Sequence, residues 1–123
     1  LVEQGTREFV SMFVPTQIAY KYELESSSNE NSGEGVRKMR GRFYNEAIGA
    51  FNAAIAKESS DYKSMFCLGV CYEMTGKHDD AINYYRQAAS AKGVNEKTAA
   101  IYQSAADRLG RHKARIAKAG SGA

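Results

Sequence analysis

The residues best equipped for chemistry are few in this chain. Cys67 and Cys71 stand four apart, with His78 seven residues further on and His112 far downstream. Two thiolates and an imidazole can hold zinc. Here, however, Met65, Phe66, Leu68, Val70 and Tyr72 surround the cysteines with apolar side chains in one helical run. Thiols four apart share a side of a helix but meet poorly as a disulfide. They read as reduced, buried, structural groups. His78 and His112 are lone histidines near turns, without metal-ligand spacing to the cysteines. Gly33-x-Gly35 lies in a polar run that follows no strand, so it is no phosphate cradle. No acid–base pair stands out. The pattern predicts no catalytic residue, no metal and no cofactor, and therefore not an enzyme.

Charge is distributed unevenly. Residues 1–35 carry a balance of −4 and residues 36–123 a balance of +7, within a net +3. The excess peaks at Arg37, Lys38, Arg40 and Arg42, and again along Arg108, Arg111, Lys113, Arg115 and Lys118. Such clusters create a field that attracts acidic partners of any class, or simply solvate a helix face. No segment approaches the ~20 apolar residues a membrane span needs, and Val10–Val14 is too short for a signal peptide. Reduced thiols and this composition lead to the expectation of a cytoplasmic protein. A chain opening at Leu1 and not Met reads as an excised domain or a processed product.

The elements that must position these groups read as helices throughout. With 43% apolar and 25% charged residues and one proline, 123 residues suffice for one all-α domain. Residues 6–25 can form a first helix with Phe9, Phe13, Tyr20 and Leu24 near one face. Pro15 either kinks it or opens a new helix. Residues 26–35, Ser-rich and without an apolar side chain before Val36, read as a flexible acidic loop that phosphorylation could address. From Val36 through Met39, Phe43, Ala47, Ile48, Phe51, Ala54 and Ile55, steps of three and four define one helix to about Lys57, weakened but not ended by Gly41. Ser59, Ser60 and Asp61 offer N-caps for a helix that stops at Thr75-Gly76. Another opens with Asp79 and Asp80 in its first turn and closes at Lys92-Gly93. Asn95 caps the last, a basic helix over 96–119 that either breaks at Gly110 or runs on. Residues 120–123 form a tail.

The run Asn45-Glu46-Ala47-Ile48…Phe51…Ala54 recurs 34 residues later as Asp79-Asp80-Ala81-Ile82…Tyr85…Ala88. Together with Met65-x-x-Leu68-Gly69-x-x-Tyr72 and Gly76, this resembles the tetratricopeptide repeat over residues 62–95, with weaker flanking units across 36–118. Met65 stands in place of the family's Trp, and Gly93 in place of its terminal Pro. The resemblance implies antiparallel helix pairs stacked as a short right-handed superhelix, with 36–59 as the second helix of a preceding repeat and 6–25 as its first. Leu68, Gly69, Tyr72, Ala81 and Ala88 would be buried.

It also implies a groove lined by first helices that grips a peptide or a partner helix. By phase, Lys63, Phe66, Val70 and Glu73 would face that groove, followed by Lys97, Ala100, Ser104 and Asp107. An exposed Phe66–Val70 pair could anchor an apolar side chain, unless it packs against the chain's own first helix or a tail. Cys67 and Val70 occupy positions where a carboxylate-clamping variant of the family needs Asn, so no such clamp is expected. The partner implied is another protein, in an adaptor or scaffold role. The rival readings are electrostatic binding of nucleic acid or an anionic membrane through Arg108, Arg111, Lys113 and Arg115, and a subunit built into a larger assembly or self-associating. Nucleic acid is disfavoured because the C-terminal run has no aromatic after Tyr102.

Overall fold

The computed structural model describes residues 7–13 and 19–121, with side chains from Leu24 to Lys118. Seven elements follow in order: β1 (Arg7–Phe13), β2 (Ala19–Glu25), α1 (Glu30–Arg40), α2 (Tyr44–Lys57), α3 (Tyr62–Met74), α4 (His78–Ala89) and α5 (Glu96–Ser121). The helices make two antiparallel pairs, α1 with α2 and α3 with α4, stacked through α2 and α3, with α5 laid against α4.

The N-terminal helix expected over 6–25 is a β-hairpin instead, with Arg7 opposite Glu25 and Phe13 opposite Ala19 in antiparallel register. The four-residue steps from Phe9 to Phe13 and from Tyr20 to Leu24 fit a strand as well as a helix, because four is an even number. The run Tyr20-Lys21-Tyr22-Glu23-Leu24-Glu25 alternates strictly, and it is rich in residues that favour a pleated surface. Pro15 lies outside the described residues.

A second difference follows. Residues 26–35 are not one flexible loop, and 36–57 is not one helix. Asn29 caps α1 by accepting from the Asn31 amide at 2.9 Å, so the helix starts inside the Ser-rich run. Ser26 and Ser32 are buried. The chain then breaks at Gly41–Phe43, where Arg42 takes a left-handed φ of 66°. Gly76 takes φ 82° at the matching place 34 residues later. Each turn is closed by the same bond two residues past the cap, Phe43 N to Lys38 O and Lys77 N to Tyr72 O, both 2.8 Å. The first helix of the leading repeat is therefore α1.

The core repeats with the same period. Gly69 lets α4 approach so closely that a Cβ there would lie 2.7 Å from the Tyr85 ring. At Gly35 a Cβ would lie 2.5 Å from the ring of Phe51. Leu68, Ala81, Tyr85 and Ala88 are fully buried, as are Ala47, Phe51 and Ala54 in the preceding unit. Every residue from Ser64 to Cys71 is buried, which makes α3 the central element. Tyr72 is only half-buried, its ring stacked on Tyr84 at 5.6 Å. Asp61 and Asn95 cap α3 and α5, accepting from Ser64 N at 3.1 Å and Thr98 N at 2.7 Å. Helix α5 continues through Gly110 without a break.

Candidate interaction face

The rows expected from the repeat's phase recur once per unit. At α1 the row is the cap residue Asn29 with Ser32, Val36 and Met39. On α3 it is Lys63, Phe66, Val70 and Glu73, and on α5 it is Lys97, Ala100, Ser104 and Asp107, each set 34 residues after the last.

These rows differ sharply in exposure. Phe66 and Val70, expected as an exposed anchor, are 3% and 0% exposed. Phe66 stacks on Tyr102 of α5 at 4.5 Å between ring centroids and meets Tyr85 at 5.3 Å. Tyr102 of α5 is thus a principal cover of Phe66. Val36 and Met39 are closed as well. Lys63 is half-buried and pairs with Glu25 at 3.3 Å. Lys97, Ala100, Ser104 and Asp107 all stand exposed, and Asp107 accepts from Gln103 Nε2 at 3.1 Å.

Glu73, expected in the groove, and Arg108, expected in the basic patch, are joined to each other. Arg108 Nη2 donates to Glu73 Oε1 at 2.7 Å and to Oε2 at 2.6 Å, and the Tyr85 hydroxyl donates to Oε1 at 2.7 Å. This buried triad ties α3, α4 and α5 together. Lys113 pairs with Asp79 at the start of α4. Arg111 and Arg115 remain exposed. Two of the four patch cations are therefore engaged in holding α5.

A second polar cluster joins the two repeats. Asp61 Oδ2 accepts from Ser64 Oγ and from Ser27 Oγ, both at 2.8 Å. Ser64 Oγ also lies 2.8 Å from Ser32 Oγ, which accepts from Ser27 N at 2.9 Å. Four serine and aspartate side chains thus satisfy one another where α1 meets α3. The spacing of 34 between Ser27 and Asp61 was the available signal.

The thiols are chemically quiet. Burial pushes Cys67 up to about 12 and raises Cys71 as well, so neither supplies a thiolate near neutrality. They form no disulfide. His112 is buried and meets the edge of His78 at 5.8 Å. Among the described residues, no group of three or more His, Cys, Asp or Glu is placed to hold a metal ion.

Paired helices at a 34-residue period, closed by small residues against aromatic rings, have a counterpart among known proteins. Residues 33–96, just over half of the chain, match the family model for the tetratricopeptide repeat. The chain belongs to the tetratricopeptide repeat family. No curated protein and no solved structure matches it significantly. The matched span covers both tetratricopeptide helix pairs, and α5 stacks after them as a following first helix would. No helix among the described residues is long and apolar enough to cross a membrane.

Proposed function

We propose that this tetratricopeptide module is a non-enzymatic adaptor or scaffold that binds a peptide or partner helix along the first-helix face. The observation that carries the reading is the contrast between rows. Phe66, Val70 and Glu73 are closed, while their counterparts Ala100, Ser104 and Asp107 on α5 are open to a partner. Lys63 and Lys97 flank that face with positive charge. Its chemistry is recognition by shape and charge, which suits the helix-in-groove and extended-peptide modes of binding.

The test is capture of a partner from the source cells by the wild-type chain and by Ala100→Trp, followed by titration of the captured protein. Ala100 is exposed, so the variant keeps its helicity. It should weaken binding by tenfold or more, and the wild-type complex should survive high salt. Silence of Ala100→Trp, with Arg111→Glu and Arg115→Glu abolishing binding, would replace this reading with an electrostatic one. The electrostatic reading is disfavoured by the pairing of Arg108 and Lys113 within the fold.

A further inference from the structure

Part of what closes the first-helix face is the chain's own extended segment. Leu24, at the end of β2, is 0% exposed and belongs to the same apolar cluster as Val36, Met39, Phe66 and Val70. Beside it, the Glu25 carboxylate pairs with Lys63 Nζ at 3.3 Å. The Glu25 carbonyl accepts from Cys67 Sγ at 3.9 Å. An extended strand end therefore rests on α3 through one inserted apolar side chain, one carboxylate on a cation and one main-chain acceptor. Those are the elements by which a groove reads an extended peptide.

We propose that Leu24–Glu25 is a built-in occupant of this face, and that a partner segment of the same chemistry binds by displacing it. That segment is extended and carries a leucine-like side chain followed by a carboxylate. The inference rests on the interaction reading above and extends it from the open α5 row to the α3 row that Leu24 covers.

The strap is held through buried Leu24 and the Lys63–Glu25 pair, whose side chains are 28% and 29% exposed. A two-stranded hairpin adds little stability of its own. The Ser27–Asp61–Ser64–Ser32 cluster secures the chain on the far side of Ser26, so β2 can lift while α1 and α3 stay in place. A strap closed nine-tenths of the time would weaken the apparent affinity for a competing segment about tenfold.

The test uses the full chain and, as probe, a fluorescent synthetic peptide of residues 19–25. Wild type should bind it weakly and Leu24→Ala about tenfold more tightly or better, with helicity retained. Adding Lys63→Glu to Leu24→Ala should abolish the gain, and a peptide carrying Glu25→Lys should restore it. In wild type, amide hydrogens of β2 should exchange well before those of α3. Equal peptide binding by wild type and Leu24→Ala would overturn the proposal. So would loss of helicity in Leu24→Ala, or exchange of β2 and α3 as one unit, since either would make the strap part of the core. Each of those results leaves the response to Ala100→Trp intact as the separate measure of the interaction reading.

Discussion

Replacing Arg108 by alanine should cost this protein more than any surface charge would. The Arg108 side chain is 12% exposed and its partner Glu73 4%, with two charge-assisted bonds of 2.6 and 2.7 Å between them. Removing the guanidinium leaves a buried carboxylate with only the Tyr85 hydroxyl, and breaking a buried pair in this way costs about 3–5 kcal/mol. Some water can enter along the side of Arg108, so the lower end, about 3 kcal/mol, is expected. For a chain of this size that corresponds to a fall in Tm of roughly 10 °C. Tyr85→Phe, which removes one hydrogen bond to a charged group, should cost about 1.5–3 kcal/mol. The double variant Glu73→Leu with Arg108→Met should recover most of the loss, because apolar replacement of both partners is often neutral. Thermal and urea unfolding followed by circular dichroism would measure all of these. A cost below about 0.5 kcal/mol for Arg108→Ala, the level of an exposed pair, would refute the claim that this triad binds α5 to the repeats.

Gly35→Ala and Gly69→Ala should each destabilise the fold by about 1–3 kcal/mol, because the added methyl meets the ring of Phe51 or Tyr85. Urea unfolding with the exposed Gly49→Ala as control would check this. His112 should make stability depend on pH: burial, then His78, Arg115 and Arg108, hold its pKa below the ordinary 6.5, against a smaller opposing pull from Glu73. The folded state thus binds fewer protons, so this contribution is complete above pH 6.5 and is lost as pH falls from there to the lower folded value. The difference in Tm between neutral and mildly acidic buffer should shrink in His112→Gln, and an unchanged difference would contradict the argument.

The parts of the fold legible in the sequence were those whose packing fixes a residue type. A ring against a glycine, or an alanine between helices, admits few alternatives, so Gly69, Ala81, Tyr85 and Ala88 declared the repeat. Asp61 and Asn95 declared their caps for the same reason. The face expected for a partner was harder to read, because its exposure depends on elements distant in sequence. Nothing in the phase of Phe66 announces that Tyr102 stacks on it, or that Leu24 joins the same cluster. Periodicity alone does not separate this hairpin from a helix, since apolar residues four apart satisfy both the pleat and the helical turn.

More was legible than position-by-position reading extracts, because a repeat places residues one period apart next to each other along the stack. Ser27 and Asp61 are 34 apart and hydrogen-bonded; Asp79 and Lys113 are 34 apart and ion-paired. His78 and His112, again 34 apart, touch edge to face, and Glu73 meets Arg108 at a separation of 35. In a stacked array these long-range contacts act much as the i,i+4 pairs do on a single helix, and they can be enumerated once the period is known. Applied here, that rule removes Arg108 and Lys113 from the free basic patch, since each finds an acidic counterpart one repeat earlier. It leaves Lys97 one period after Lys63 and Ala100 one period after Phe66, pairings that can make no such bond. Lys97, Ala100, Ser104 and Asp107 stand exposed on the face we propose for a partner.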